Sequence, residues 1–161
     1  MTEHQLRDQL IDFVYRENRL LDQRRFNEWY DLFADDGLYW IPSQPDQTDK
    51  EGQVSIALES KMLLQLRIAR LGHARAHSLH PQVRSMHVVQ RPEVDEINLE
   101  SRQHTVSCSF MYLEFQAGEQ LIFGGHARYQ LRQVDADLKI IEKKISLLNM
   151  DTYLPAIQLF I

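Results

Sequence analysis

Residues 26–42 read FNEWYDLFADDGLYWIP, and the change of hydrophobic period inside that stretch decides the fold. Phe26, Trp29, Leu32 and Phe33 recur at three- and four-residue intervals, the spacing that gathers side chains on one stripe of a helix. Asp35, Asp36 and Gly37 then read as the stop, because short polar side chains compete for backbone hydrogen bonds and glycine favours non-helical conformations. Leu38, Tyr39, Trp40 and Ile41 follow as an apolar run closed by Pro42, the form of a short buried strand. A helix over 26–33 is therefore expected to pass directly into the first strand of a sheet.

Outward from that point the chain divides into a helical front and a sheet-forming back. Leu6, Leu10, Phe13, Val14 and Leu21 give residues 3–23 one apolar helical stripe. Residues 42–53, PSQPDQTDKEGQ, combine two prolines with Ser, Asp, Gln and Gly, and read as an exposed loop. Met62, Leu63, Leu66, Ile68 and Leu71 predict a third helix within 60–80, ending near Gly72 or before Pro81.

From Val83 the period becomes two. Val106, Cys108, Phe110 and Tyr112 oppose Ser107, Ser109 and Met111, and Leu121, Phe123, Ala127, Tyr129 and Leu131 alternate with polar neighbours. Ala117-Gly118 and Asp135-Ala136-Asp137 supply turns, so three long antiparallel strands joined as hairpins are expected. Gly124 and Gly125 inside a strand read as a bulge or a sharp bend. The fold class that follows is α+β: three N-terminal helices packed on a curved, mostly antiparallel sheet of five or six strands, in one domain over 1–161. Arg128, Gln130, Arg132, Lys139 and Lys143 share faces with Ile122, Ile141, Ile145 and Leu147, which predicts a mixed outer surface suited to subunit contacts.

Composition excludes several classes of function. At 161 residues the chain can bury a core without staples, and its single cysteine, Cys108, rules out an internal disulfide or a multi-cysteine metal or iron–sulfur site. A formal net charge of −5 disfavours a nucleic-acid surface; Arg67, Arg70 and Arg75 are the one basic concentration, and a solvated helix face or contact with an acidic partner chain accounts for them. The opening MTEHQLRDQL is polar throughout and lacks the pattern of a secretory leader, and no apolar run reaches the ~20 residues of a membrane span. A cytoplasmic protein is expected.

The seven histidines are His4, His73, His77, His80, His87, His104 and His126. His73, His77 and His80 would share a helix face, but no Asp or Glu lies between Glu59 and Glu93 to complete a two-histidine, one-carboxylate metal site. Polar contact with solvent or a partner accounts for them better, and no metal is expected.

Taken in order, several segments resemble one family. These are Tyr15, Glu17, Leu20, Leu21 and Asp22 in the first helix; LFADDGLYWIP at 32–42; Arg84, His87 and Val88; FGGHARYQLR at 123–132; KIIEKKISLLNMD at 139–151; and IQLFI at 157–161. Together they resemble the small (β) subunits of aromatic-ring-hydroxylating dioxygenases, which share a cystatin-like, ketosteroid-isomerase-like cone with scytalone-type dehydratases. The resemblance implies a non-catalytic subunit, with no catalytic, cofactor-binding or metal-binding residue in this chain. The Rieske [2Fe–2S] cluster and mononuclear iron would belong to a partner α subunit, and a β trimer would cap an α trimer in a three-plus-three hexamer. One cysteine and no CxH…CxxH pair agree with that division of labour. The alternative is a stand-alone cone-fold isomerase or dehydratase, whose acid–base groups would come from Tyr30, Tyr39, Asp36, His77, His87 and His126.

Overall fold

The computed structural model describes residues 2–73 and 81–161. Helix α1, Glu3–Asp22, begins at a capping box in which the Thr2 hydroxyl accepts from the Gln5 amide while the Gln5 side chain accepts from the Thr2 amide. Its buried face carries Leu6, Leu10, Phe13, Val14, Leu20 and Leu21, the stripe expected from the sequence, together with Glu17 and Asn18.

Helix α2, Phe26–Tyr30, is shorter than the 26–33 expected, because strand β1 already starts at Phe33 and spans Phe33–Pro42. The cause is the partner strand β7, Asp137–Leu147: the Ile140 amide donates to the Leu32 carbonyl at 2.8 Å and draws the chain into the sheet. The DDG sequence serves a different purpose from a helix stop. Phe33 pairs with Ile140 and Leu38 with Glu142, so residues 34–37 form an enlarged bulge opposite Ile141. A Cβ on Gly37 would stand 2.8 Å from the Ala34 and Ile140 carbonyl oxygens, so only glycine closes this bulge without a shift.

Residues 43–54 form a loop, as expected, but it is not wholly exposed. Gln47 is buried and ties it down, accepting from the Ser43 amide at 2.9 Å and donating to Ser55 Oγ at 3.1 Å. Strand β2, Ser55–Ser60, leads into helix α3, Lys61–Leu71, which ends at Gly72. Strands β3 (Arg84–Val89), β4 (Glu93–Asn98), β5 (Gln103–Gln116) and β6 (Glu119–Val134) precede β7.

The sheet has seven strands, ordered β2-β1-β7-β6-β5-β3, with β4 also pairing with β5; five or six were expected. It is antiparallel except where β1 runs parallel to β7. The hairpin turns fall where expected, with Ala117, Gly118 and Asp135 at positive φ. Of the bulge or sharp bend expected at Gly124 and Gly125, the bulge is absent: β5 and β6 pair without interruption from Gln103–Arg132 to Gln116–Glu119. Register instead shifts between Gln130 and Leu131 against β7, with Ile141 as the extra residue. Gly125 marks a close backbone approach, since a Cβ there would meet the Ser146 carbonyl oxygen at 2.5 Å.

The helices pack on the concave face of this open, curved sheet, giving the α+β cone. Trp29 is the hub, with Phe33 at 4.9 Å and Phe160 at 4.5 Å between ring centroids. Leu159, Phe160 and Ile161 turn back into the core, where each buried apolar side chain contributes about 1.5–3 kcal/mol. Lys143, Ile145 and Leu147 also face inward, so the mixed outer surface expected to include them is confined to their neighbours. Among the described residues no helix is long and apolar enough to cross a membrane.

Candidate functional site

The chemically distinctive centre lies inside the cone, between α1 and the inner faces of β6 and β7. Glu17 is fully buried there and saturated: Oε1 accepts from Trp29 Nε1 at 2.6 Å and from Lys143 Nζ at 2.7 Å, and Oε2 accepts from the Tyr129 hydroxyl at 3.0 Å. Asn18 Nδ2 donates to the Val14 carbonyl and to the Tyr129 hydroxyl. Burial, reinforced by the negative charge of Glu17, pushes the Tyr129 phenol well above its ordinary range. Burial likewise pushes the Cys108 thiol up to about 11, which keeps it protonated and unreactive.

His87 borders the same interior. Asp22 accepts both its backbone amide, at 3.0 Å, and its Nδ1, at 2.6 Å, while Nε2 is buried without a hydrogen-bond partner among the described residues. The His87 ring packs 4.6 Å from that of Tyr112. Asn18, His87, Cys108, Tyr129, Lys143 and Ile161 enclose a void too small to admit a water molecule. These groups hold α1 against the sheet; they leave no room for a substrate.

A second buried carboxylate fastens the segment 148–161. Glu114 accepts from the Tyr112 hydroxyl at 2.7 Å and from the Gln158 and Leu159 amides at 3.0 and 2.9 Å. Arg67 donates to the Leu159 carbonyl at 2.7 Å, and the Ile161 amide donates to the Tyr39 hydroxyl at 3.0 Å.

Among the described residues, the acid–base candidates named from sequence do not converge. Tyr39 is buried and engaged with Ile161, and Asp36 is on the surface, where a hydrogen bond from Arg132 holds its carboxyl below the ordinary range. Tyr30 lies under the Lys61 ammonium, and His126 sits on the outer sheet face, 3.0 Å from Ser109 Oγ. Of the acid–base histidines among the described residues, His87 faces the interior and His126 does not. His77 and His80, which the sequence weighs with His73 as a ligand stripe and sets aside, lie outside the described residues. Among the described residues, no three of His, Cys, Asp or Glu are grouped so as to hold a metal ion. Sequence reasoning missed Glu17, Lys143 and Glu114 as the polar core; the signal for Glu17 was its place on the apolar stripe, three and four residues from Val14, Phe13, Leu20 and Leu21.

Comparison with known proteins supplies the context that the interior does not. The chain is 29% identical over 140 residues to the small oxygenase component of the p-cumate 2,3-dioxygenase system of Pseudomonas putida, covering 86% of this chain and 77% of that one. It is 28% identical over 150 residues to the 2-halobenzoate 1,2-dioxygenase small subunit of Burkholderia cepacia, covering 87% of each. The crystal structure of the β subunit of benzoate 1,2-dioxygenase from Burkholderia mallei ATCC 23344 superposes with a TM-score of 0.75 and 26% identity, over 92% of this chain and 93% of that one. The family described as ring hydroxylating beta subunit matches residues 16–152, a span that takes in Glu17, Glu114 and the seven described strands. The chain therefore belongs to the ring-hydroxylating β-subunit family.

Proposed function

We propose that this chain is the non-catalytic subunit of the terminal oxygenase of an aromatic-ring dioxygenase, and that it forms one β-subunit domain over 1–161. The observation that carries the reading is the family match over 16–152. The residues present do not fit a Rieske cluster, because Cys108 is the only cysteine and is buried among apolar strand positions. The cluster and the mononuclear iron accordingly belong to a partner α subunit. The assembly we propose is a β trimer capping an α trimer, three plus three, in the cytoplasm. An exposed apolar row on the outer sheet face supports subunit contact: Val88 pairs with Met111, Ile122 pairs with Leu113, and Met86 and Leu148 flank them.

The substrate class of the assembled enzyme is proposed to be an aromatic carboxylate. The three relatives described above are named for p-cumate, 2-halobenzoate and benzoate, each a ring bearing a carboxylate.

The experiment is turnover per assembled complex, with iron content measured alongside. His73→Ala, His77→Ala and His126→Ala are expected to stay within about threefold of the parent, whereas loss of an essential acid–base group costs ~10²-fold or more. A variant that assembles and holds its iron yet loses activity a hundredfold would place chemistry in this subunit. The isolated chain is expected to sediment as a trimer; a monomer at micromolar concentration would remove the proposed assembly.

A further inference from the structure

A groove of about 700 Å³ lies between the β2–α3 corner and the segment 148–161, bordered by the core side chains Tyr39 and Ile41 of β1. One wall is Ile41, Ile56 and Leu71, the other Leu154 and Ile157. Three charged side chains line it: Glu59, Arg67 and Arg70. Arg67 is committed, donating to Glu59 at 2.5 Å and to the Leu159 carbonyl, with its guanidinium 4.2 Å from the centre of the Phe160 ring. Glu59 is thereby neutralised. The Tyr39 hydroxyl, also in the lining, is engaged with Ile161 and held neutral by burial.

Arg70 is left over. It lies three residues from Arg67 on α3, is exposed, and has no ion pair among the described residues. Two guanidiniums against one carboxylate leave the groove with one net positive charge and apolar walls. Small-molecule sites have this composition: about 300–1,000 Å³, mostly apolar, with a few polar groups that fix orientation. A guanidinium with free donors selects a carboxylate, to which it can make paired charge-assisted hydrogen bonds. A neutral apolar guest would leave those donors unused, and a cation would be repelled.

We infer that this groove binds an apolar monocarboxylate, with the carboxylate on Arg70 and the apolar body between the Ile41–Ile56 and Leu154–Ile157 walls. The site goes beyond the subunit role and is tested on the chain by itself, so its failure would leave that role untouched.

The test is a titration of the full chain, labelled at its methionine methyls, with 4-isopropylbenzoate and with decanoate, the first a ring and the second a flexible chain. Met150 lines the groove, whereas Met86 and Met111 stand on the outer face of β3 and β5. A saturable shift at Met150, with Met86 and Met111 unmoved, is expected for at least one acid. Arg70→Gln, an exposed position where the parent spectrum should persist, is expected to weaken binding by about tenfold or more, and 4-isopropylbenzamide to bind correspondingly worse than the benzoate. Saturation by neither acid, shifts spread over all methionines, or affinity unchanged in Arg70→Gln would each overturn the proposal.

Discussion

Lys143 Nζ lies 2.7 Å from Glu17 Oε1, with side-chain exposures of 2% and 0%, so α1 and β7 are joined by an ion pair sealed from water. Such a pair gives modest net stability, because desolvation offsets most of the attraction, yet breaking it strands a charge. Glu17→Gln or Lys143→Met alone is expected to cost about 3–5 kcal/mol, and the pair Glu17→Leu with Lys143→Met clearly less than the sum. Denaturant unfolding at fixed protein concentration measures this; additive costs would mean that the two side chains do not act as a pair.

Trp29 serves the same site in a different way, filling the core and donating to Glu17. Trp29→Ala is expected to lose about 3–5 kcal/mol and most soluble yield. Trp29→Phe keeps most of the ring volume, so its loss should approach the hydrogen-bond contribution alone, about 1.5–3 kcal/mol for a bond to a charged group. Equal losses in the two variants would refute the packing role.

His104 sets an acid limit. It is buried with neither ring nitrogen hydrogen-bonded among the described residues, and burial lowers its pKa below the ordinary value of about 6.5. The unfolded chain therefore binds this proton at higher pH than the folded one. Stability is full above the unfolded value and declines as pH falls from there through the lowered folded value. His104→Leu is expected to flatten that decline below about pH 6.5, read as the change in unfolding midpoint; an unchanged slope would assign the acid sensitivity elsewhere.

The two adjacent glycines of β6 should respond unequally. A Cβ at Gly124 would meet only the Leu148 side chain at 3.5 Å, an ordinary contact, whereas at Gly125 it would press on the Ser146 carbonyl at 2.5 Å. Gly124→Ala is expected to be near neutral, and Gly125→Ala to cost about 1–3 kcal/mol by forcing β6 and β7 apart. Hydrogen exchange of the β7 amides would show where the strands open.

Long elements were legible from their residues alone. The α1 stripe and the β5–β6 alternation came through because each repeats a periodic signal over several turns or pairs, and the turns at Ala117-Gly118 and Asp135 because their residues suit positive φ. What was hidden depended on partners distant in sequence. Strand β4, EVDEIN, is too polar to declare itself and exists because β5 pairs with it. Asp35-Asp36-Gly37 reads as a helix stop until β7 is present to impose a bulge. Lys143 sits in KIIEKKI, where a cation looks solvent-facing; only its meeting with Glu17 makes an inward position tolerable. Glu114 was equally hidden, since its donors are backbone amides of residues 158 and 159.

The parallel seam between β1 and β7 also dictates the order in which this molecule can become itself. β7 lies inside the sheet but follows every other described strand in the sequence, and until it is made β1 with β2 and the β5–β6 hairpin are two unjoined fragments. Local hairpins close early, whereas joining residue 33 to residue 140 must await nearly the whole chain. A nascent chain stopped before residue 137 should thus be a client for chaperones with no cooperative melt. Completion of β7 is the event that commits the polypeptide to a form a partner can recognise.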